Sequence, residues 1–251
     1  MADSARQETT VSTGYLDYDY DRFYSHHDFD YVERVETAFL TVILRGLAKL
    51  PDGACVVDVG CGTGFDTWLM DRMGYRAVGV DTSQVAIEKA RQRPGGAQFV
   101  HGDALTLHDE LGCDFDLVYC SGLMAFNWVD SLQEPGALHA ARALLGYLRP
   151  GGRLVFVWDS ILSGRRWSPY ADVQPDRMFM NYSLAQVRGL WNAVDNCRIR
   201  HAGITHKRLA PLLGRGAFSL PVQLTLSATA RSLRRPAQIV VVVQRGGGSK
   251  R

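Results

Sequence analysis

The chain has 251 residues, 46% of them hydrophobic and 22% charged, which is enough apolar material for one full core. No run approaches the roughly eighteen consecutive apolar residues of a membrane-spanning helix, and the opening MADSARQETT is polar where a secretory leader would be basic and then apolar, so a soluble, cytoplasmic protein with no membrane partner is expected. The net charge of +2 is unevenly spread: residues 1–150 carry 12 Lys+Arg against 22 Asp+Glu, net −10, and residues 151–251 carry 16 against 4, net +12.

In chain order, residues 1–14 are small and polar, offer no periodic apolar face, and are expected to be disordered. YLDYDYDRFYSHH, from Tyr15 to His27, mixes aromatics with acids and reads as a lid. From Tyr31 to Leu50, Val32, Val35, Phe39, Ile43 and Leu47 recur at helical spacing and predict an amphipathic helix. Between Ala54 and Trp158, short apolar runs alternate with helical patterns. The strands are placed at Ala54–Val59, Arg76–Val80, Ala97–Val100, Phe115–Tyr119 and Arg153–Trp158, and the helices at Phe65–Met73, Ser83–Arg93 and Pro135–Leu148, with the turn Arg149–Gly152 ending the last. That alternation is the signature of a doubly wound α/β sheet. Beyond Asp159 the pattern weakens to an Arg-bearing stretch, a helix near Ser183–Ala193, and β-prone runs near Phe218–Ser227 and Ile239–Gln244. The five cysteines, at positions 55, 61, 113, 120 and 197, form no CxxC pair, so reduced structural thiols and no zinc site are expected.

The first strand runs into Val57-Asp58-Val59-Gly60-Cys61-Gly62-Thr63-Gly64, and a helix opens at Phe65. Glycines let a backbone turn sharply and approach a ligand with no Cβ in the way, while the helix N-terminus offers free N–H groups. The spacing is GxGxG, and Phe65 stands where a dinucleotide fingerprint places its last Gly or Ala, which disfavours NAD and FAD. Two later strands end in Val80-Asp81 and in His101-Gly102-Asp103-Ala104, each delivering a carboxylate to the carboxyl edge of the sheet, the side on which such sheets bind ligands. Asp81 suits a ribose diol and Asp103 an adenine amino group.

At these points the sequence resembles the class I S-adenosylmethionine-dependent methyltransferases of the small-molecule type. VVDVGCGTG matches the family's first motif, VGVDTS the second and HGDAL the third, and LRPGGRLVF resembles a further marker. The resemblance covers roughly residues 50–160. It implies a Rossmann-like, mostly parallel seven-stranded sheet with an N-terminal helical lid and a small insertion after strand five. It also implies S-adenosyl-L-methionine as cofactor, with the methionine part around Gly60, Gly62 and Gly64, the ribose at Asp81 beside Thr82, and adenine around Asp103 and Ala104. Asp58 matches a position that supports the cofactor's amino group, Cys120 and Ser121 one beneath the sulfonium, and Tyr20 and Tyr24 a lid tyrosine near the cofactor's carboxylate. For Cys120 a buried core thiol is an equal alternative. The division expected is a lid and first helix at 15–50, a cofactor-binding core at 54–160, an acceptor-side insertion at 160–193, C-terminal strands at 194–245 and a flexible tail at 246–251, all in one domain.

A sulfonium methyl is already activated, so the protein's task is to hold a nucleophile in line at about 3–3.5 Å and to exclude water. Where the nucleophile carries a proton, a base must take it, and His26, His27 and Asp159 are candidates by location. Met124, Phe126 and Trp128, after strand four, are candidate walls for the acceptor. That apolar stretch lacks the acidic cluster of catechol-type relatives, so no metal is expected, and it lacks the DPPY-like signature of enzymes that methylate exocyclic base nitrogens. Arg165, Arg166, Trp167, Tyr170 and Arg177 are candidate acceptor residues for an anionic group, since the guanidinium fork suits carboxylate or phosphate; a solvated basic loop is the alternative.

The leading expectation is methyl transfer to oxygen, nitrogen or carbon of a small, anionic metabolite. The Arg-, Ala- and Gly-rich composition suggests, by association, bacterial secondary metabolism. An RNA methyltransferase is the runner-up, favoured by the basic C-terminal third and weakened by the acidic remainder, so a nucleic-acid partner is not expected. A non-catalytic, cofactor-binding regulator is the third reading. The oligomeric state stays open, a homodimer included.

Overall fold

A computed structural model of the chain describes residues 16, 18–27, 31–111, 114–127, 131–160, 181–205 and 237–247. Two helices, α1 (Tyr20–His26) and α2 (Glu33–Thr41), precede an alternation of β1 (Cys55–Val59), α3 (Phe65–Arg72), β2 (Arg76–Asp81), α4 (Gln84–Arg91), β3 (Gln98–His101), α5 (His108–Leu111), β4 (Phe115–Ser121), α6 (Pro135–Gly146) and β5 (Leu148–Asp159). Helix α7 (Leu184–Asn192) and strands β6 (Cys197–Thr205) and β7 (Gln238–Arg245) follow. The expected strand Phe218–Ser227, residues 1–14 and residues 248–251 lie outside the described residues.

The seven strands lie in the order β3-β2-β1-β4-β5-β7-β6. Strand β7 runs antiparallel to both β5 and β6, and the other pairs are parallel. From β1 the sheet winds outward to β2 and β3 on one side and to β4 and β5 on the other, so the crossovers open a crevice at the carboxyl ends of β1 and β4.

Strand residues alternate between two cores. Val57, Val59, Val118, Leu154, Phe156, Trp158, Val241 and Val243 pack with α6 and α7, while Val56, Leu117, Tyr119, Val155, Val157, Val240 and Val242 pack with α2 and α3. With both faces covered, β5 and β7 are apolar through their centres, which is why LVFVW and IVVVV show no alternation. An aromatic ladder stiffens the α6–α7 side: Phe156 stacks on Trp158 at 5.8 Å, and Phe126 meets Phe156 edge-on at 5.1 Å.

Two expectations are corrected. The single amphipathic helix over 31–50 becomes α2 followed by a wider π-helical turn at Val42–Leu47. Val42, Ile43 and Leu44 are all buried, and three consecutive residues cannot share one face of a 3.6-residue helix; Ala48 N accordingly donates to Ile43 O, five residues back. The Arg153 guanidinium donates to Ala48 O and Lys49 O, satisfying the carbonyls at the end of this turn. The second correction is at Arg149–Gly152, which is not a free turn after α6 but a bulge inside β5. Phe115 pairs with Leu148 and Leu117 with Arg153, and Gly151 takes up the bend at φ +80°. The Asp116 carboxylate ties this edge together, accepting from Arg149 Nε at 2.6 Å and from Cys55 N at 2.8 Å.

Helix α7 starts with a capping box, in which Ser183 Oγ accepts from Gln186 N and the Gln186 side chain accepts from Ser183 N. Ser183→Ala should lower unfolding free energy by about 1 kcal/mol in urea titrations, with an unchanged m-value; an unaltered midpoint would show that the cap contributes nothing to this helix.

Candidate active site

The glycine turn is built to bring backbone, not side chains, to the crevice. Gly60, Gly62 and Gly64 sit at φ +72°, +52° and +72°, where a Cβ would be strained. Each also has a neighbour against the place of the missing Cβ: Leu123 Cδ1 3.0 Å away at Gly60, Tyr24 Oη 2.7 Å away at Gly62, and the Phe99 ring at Gly64. Gly60 N and Cys61 N both donate to Val80 O, which fixes the turn on β2.

Asp81, at the tip of β2, is 7% exposed. Its Oδ2 accepts from Gly62 N at 2.8 Å and its Oδ1 from Ser83 N at 2.9 Å. Burial raises its pKa, and the two backbone donors pull it partly back down. Asp103, at the next strand end, has its Oδ1 bonded to Leu105 N at 2.9 Å.

These groups surround one cleft of about 530 Å³, lined on one side by Tyr20 and Tyr24 of α1 and on the others by Gly60, Asp81, Thr82, Asp103 and Ala104, with Leu123 and Met124 of the loop after β4. A second, more open cleft shares Tyr20, Thr82 and Asp103 and extends past Tyr18, Asp19, Asp21 and His101.

The structure brings together Tyr20, Tyr24, Gly60, Asp81, Thr82, Asp103, Ala104 and Met124 from the sequence candidates. Gly62 lies under the Tyr24 hydroxyl, and Gly64 is packed away against Phe99 and Ala90. Asp58 is buried behind the turn and accepts from Thr67 Oγ1 at 2.6 Å. Cys120 is fully buried in the core and, like Ser121, is not among the lining residues; Gly122, Leu123 and Ala125 stand there instead. Phe126 is a correction, because it is a core residue stacked edge-on against Phe156 and Trp158 and not a wall of the cleft. His26, His27 and Asp159 also stay outside the lining. The His26 and His27 Nδ1 atoms donate to the α1 carbonyls of Arg22 and Phe23, and the Asp159 carbonyl accepts from Tyr182 N. Trp128, Arg165, Arg166, Trp167, Tyr170 and Arg177 lie outside the described residues. Leu105, Leu123 and Ala125 were missed because an apolar residue after a strand has no sequence mark separating a pocket wall from core.

Burial, reinforced by the nearby Asp66 carboxylate and opposed by the Thr67 hydroxyl, pushes the Asp58 carboxyl up to about 8 from a starting value of 3.8. Between those values the folded chain holds a proton that the unfolded chain has released, so stability falls as pH rises from about 4 to about 8. Asp58→Asn should flatten that fall in urea unfolding at pH 5 and pH 8, leaving the residual slope from Asp81; an unchanged slope would refute a protonated Asp58.

Residues 56–152 match the family model described as a methyltransferase domain. Over 112 residues the chain is 35% identical to a trans-aconitate 2-methyltransferase of Rhodopseudomonas palustris (strain BisB18), covering 43% of this chain and 40% of that protein. It is 29% identical over 195 residues to a malonyl-[acyl-carrier protein] O-methyltransferase of Enterobacter lignolyticus (strain SCF1), covering 75% and 66%. The chain thus spans about two fifths of the length of the first of these relatives. Among solved structures, the plantazolicin methyltransferase BamL, bound to a desmethyl analogue and SAH, superposes with a TM-score of 0.57 at 15% identity over 88% of both chains, a likeness of fold. Sheet order and glycine turn agree with that family model: residues 56–152 match a methyltransferase domain, and the fold is that of the class I S-adenosylmethionine-dependent methyltransferases.

Proposed function

We propose that the chain catalyses methyl transfer from S-adenosyl-L-methionine to a small metabolite bearing an anionic group, and that one domain spanning residues 15–245 does so in the cytoplasm. The observation that carries this reading is the cleft in which two strand-end carboxylates, Asp81 and Asp103, face the glycine turn at Gly60 under an aromatic lid. The residues present fit the cofactor. Each Asp81 oxygen already accepts one backbone N–H and keeps a lone pair for a hydroxyl donor, which suits a ribose diol. Asp103 stands where an amino group can donate, and Gly60 presents bare backbone to the cleft beside Tyr24, where the amino-acid part would lie. When bound, S-adenosyl-L-methionine supplies an electrophilic methyl on a cationic sulfur.

The chain's own contribution is positioning and exclusion of water, with Leu123, Met124 and Ala125 as an apolar wall and Tyr20 and Tyr24 as the cover. An anionic acceptor is supported by two relatives whose names specify carboxylate-bearing compounds, trans-aconitate and a malonyl group. It is supported too by the +12 charge of residues 151–251, where Arg165, Arg166 and Arg177 stand with Trp167 and Tyr170. An ionised carboxylate has no proton to lose at neutral pH, so it asks no general base of the chain. His26, His27 and Asp159 become candidates only if the acceptor is protonated. Fold neighbours described as natural-product enzymes support a place in secondary metabolism.

Asp81→Asn removes one anionic acceptor while keeping an oxygen for the loop. It should weaken S-adenosylhomocysteine binding in calorimetry by roughly tenfold or more with unchanged circular dichroism; equal affinity would sink the ribose assignment. For the acceptor, Arg165→Ala with Arg166→Ala should raise KM for a carboxylate acceptor at least tenfold and leave cofactor affinity alone, and an unmoved KM would remove the arginines from the acceptor site.

A further inference from the structure

Helix α1, which carries Tyr20 and Tyr24 over the cleft, has little of its own to hold it there. It is seven residues long, far below the length at which an isolated helix persists, and Phe23 is its one buried residue. Polar contacts at both ends dock it on α4. Asp21 Oδ1 accepts from Ser83 Oγ at 2.6 Å and from Val85 N at 3.1 Å, using a backbone donor that the first turn of α4 leaves free. At the other end, Lys89 Nζ donates to Tyr24 O at 2.7 Å, on the last turn of α1, where a cation is favoured. Asp21 does not line the cofactor cleft; it stands in the outer one.

Ser83 belongs to both systems. Its hydroxyl donates to Asp21 and accepts from Ala86 N, while its backbone N–H donates to Asp81. Asp81 in turn holds Gly62 N, and the Tyr24 hydroxyl lies over Gly62. The contacts therefore close a ring that begins and ends on α1: Asp21, Ser83, Asp81, Gly62, Tyr24. A ligand bound at Asp81 and the lid above it share one serine.

We infer that Asp21 is a positioning residue: through Ser83 it latches α1 closed over the cleft, so that retention of S-adenosyl-L-methionine depends on a side chain that does not touch it. The inference rests on the proposed cofactor site and adds to it a residue and a mode of control. Apparent affinity then scales with the fraction of molecules whose lid is latched, and an unlatched lid shortens the stay of the ligand.

The test compares the full-length wild type with Asp21→Ala, which loses both contacts, and Asp21→Asn, which keeps the accepting oxygen. Lys89→Met opens the other end of the helix. S-adenosylhomocysteine dissociation is followed by stopped flow, and amide exchange of residues 20–26 by mass spectrometry on the ligand-free protein. Asp21→Ala should dissociate the ligand about tenfold faster and exchange faster over 20–26, with β1–β5 exchange unmoved; Asp21→Asn should stay within about twofold of wild type, and Lys89→Met should follow Asp21→Ala in direction. If the wild type binds and Asp21→Ala releases ligand at the same rate, the latch is overturned and the cofactor site stands. If the wild type itself binds no S-adenosylhomocysteine, the site reading fails, and the exchange arm alone decides the latch: unchanged exchange over 20–26 in Asp21→Ala overturns it.

Discussion

A buried carboxylate that must stay useful in its folded surroundings is the constraint around which the rest of the site is arranged. Asp81 lies at the tip of β2 with almost no exposure, in a place where an isolated carboxylate would be costly. Gly62 N and Ser83 N reduce that cost, one from the glycine turn and one from the cap of α4. Both donors are backbone groups, so they fix the carboxylate without filling the space in front of it. The turn reaches Asp81 through Gly62, whose positive φ of 52° turns its N–H onto the carboxylate. The composition of VDVGCGTG is thus a consequence of where β2 ends, as much as of what binds there.

The same turn explains why the surrounding packing is so tight. Three neighbours from three different elements, Leu123, Tyr24 and Phe99, occupy the volume that side chains at Gly60, Gly62 and Gly64 would need. One comes from the loop after β4, one from the lid and one from β3. A single segment therefore sets the distance of closest approach for both walls of the cleft and for its cover. Behind it, the Asp58–Thr67 contact anchors the start of α3, so the side facing away from ligand is as strongly specified as the side facing it.

The central half of the fold was legible in the sequence because its physics is local. Strands buried on both faces read as apolar runs, as in Leu154–Trp158, and a glycine turn between strand and helix is marked by spacing alone. The π-helical turn at Val42–Leu47 was not legible, since consecutive buried residues in a helix look the same as one turn of a slightly shifted amphipathic face. The bulge at Arg149–Gly152 reads as a turn because Pro-Gly-Gly is a turn signal; only pairing with β4 and the Asp116 bridge keep it in the sheet. In the site, carboxylates at strand ends could be found because position in the strand gives their direction. Phe126 and Cys120 could not be separated from pocket residues, because burial after a strand depends on what α6 and α7 bring over it. The histidines of the lid were chosen by proximity in sequence, and helix α1 turns both rings back on its own carbonyls.

The charge asymmetry acquires a physical meaning once the cleft is placed. Both carboxylates that line the cleft, Asp81 and Asp103, come from residues 1–150, the part carrying net −10. A cofactor with a cationic sulfur and an ammonium group is attracted by that half, while an acceptor with a carboxylate is repelled by it. An anionic acceptor therefore needs positive charge supplied from outside the cofactor-binding core, and the sequence concentrates it after Gly151, at net +12. Under the proposed function, the cofactor loses its sulfonium charge on methyl transfer and an acceptor methylated on its carboxylate loses its anion. On that reading the acidic surroundings hold the spent cofactor less tightly than the charged one, and the proposed latch of α1 sets how long it stays.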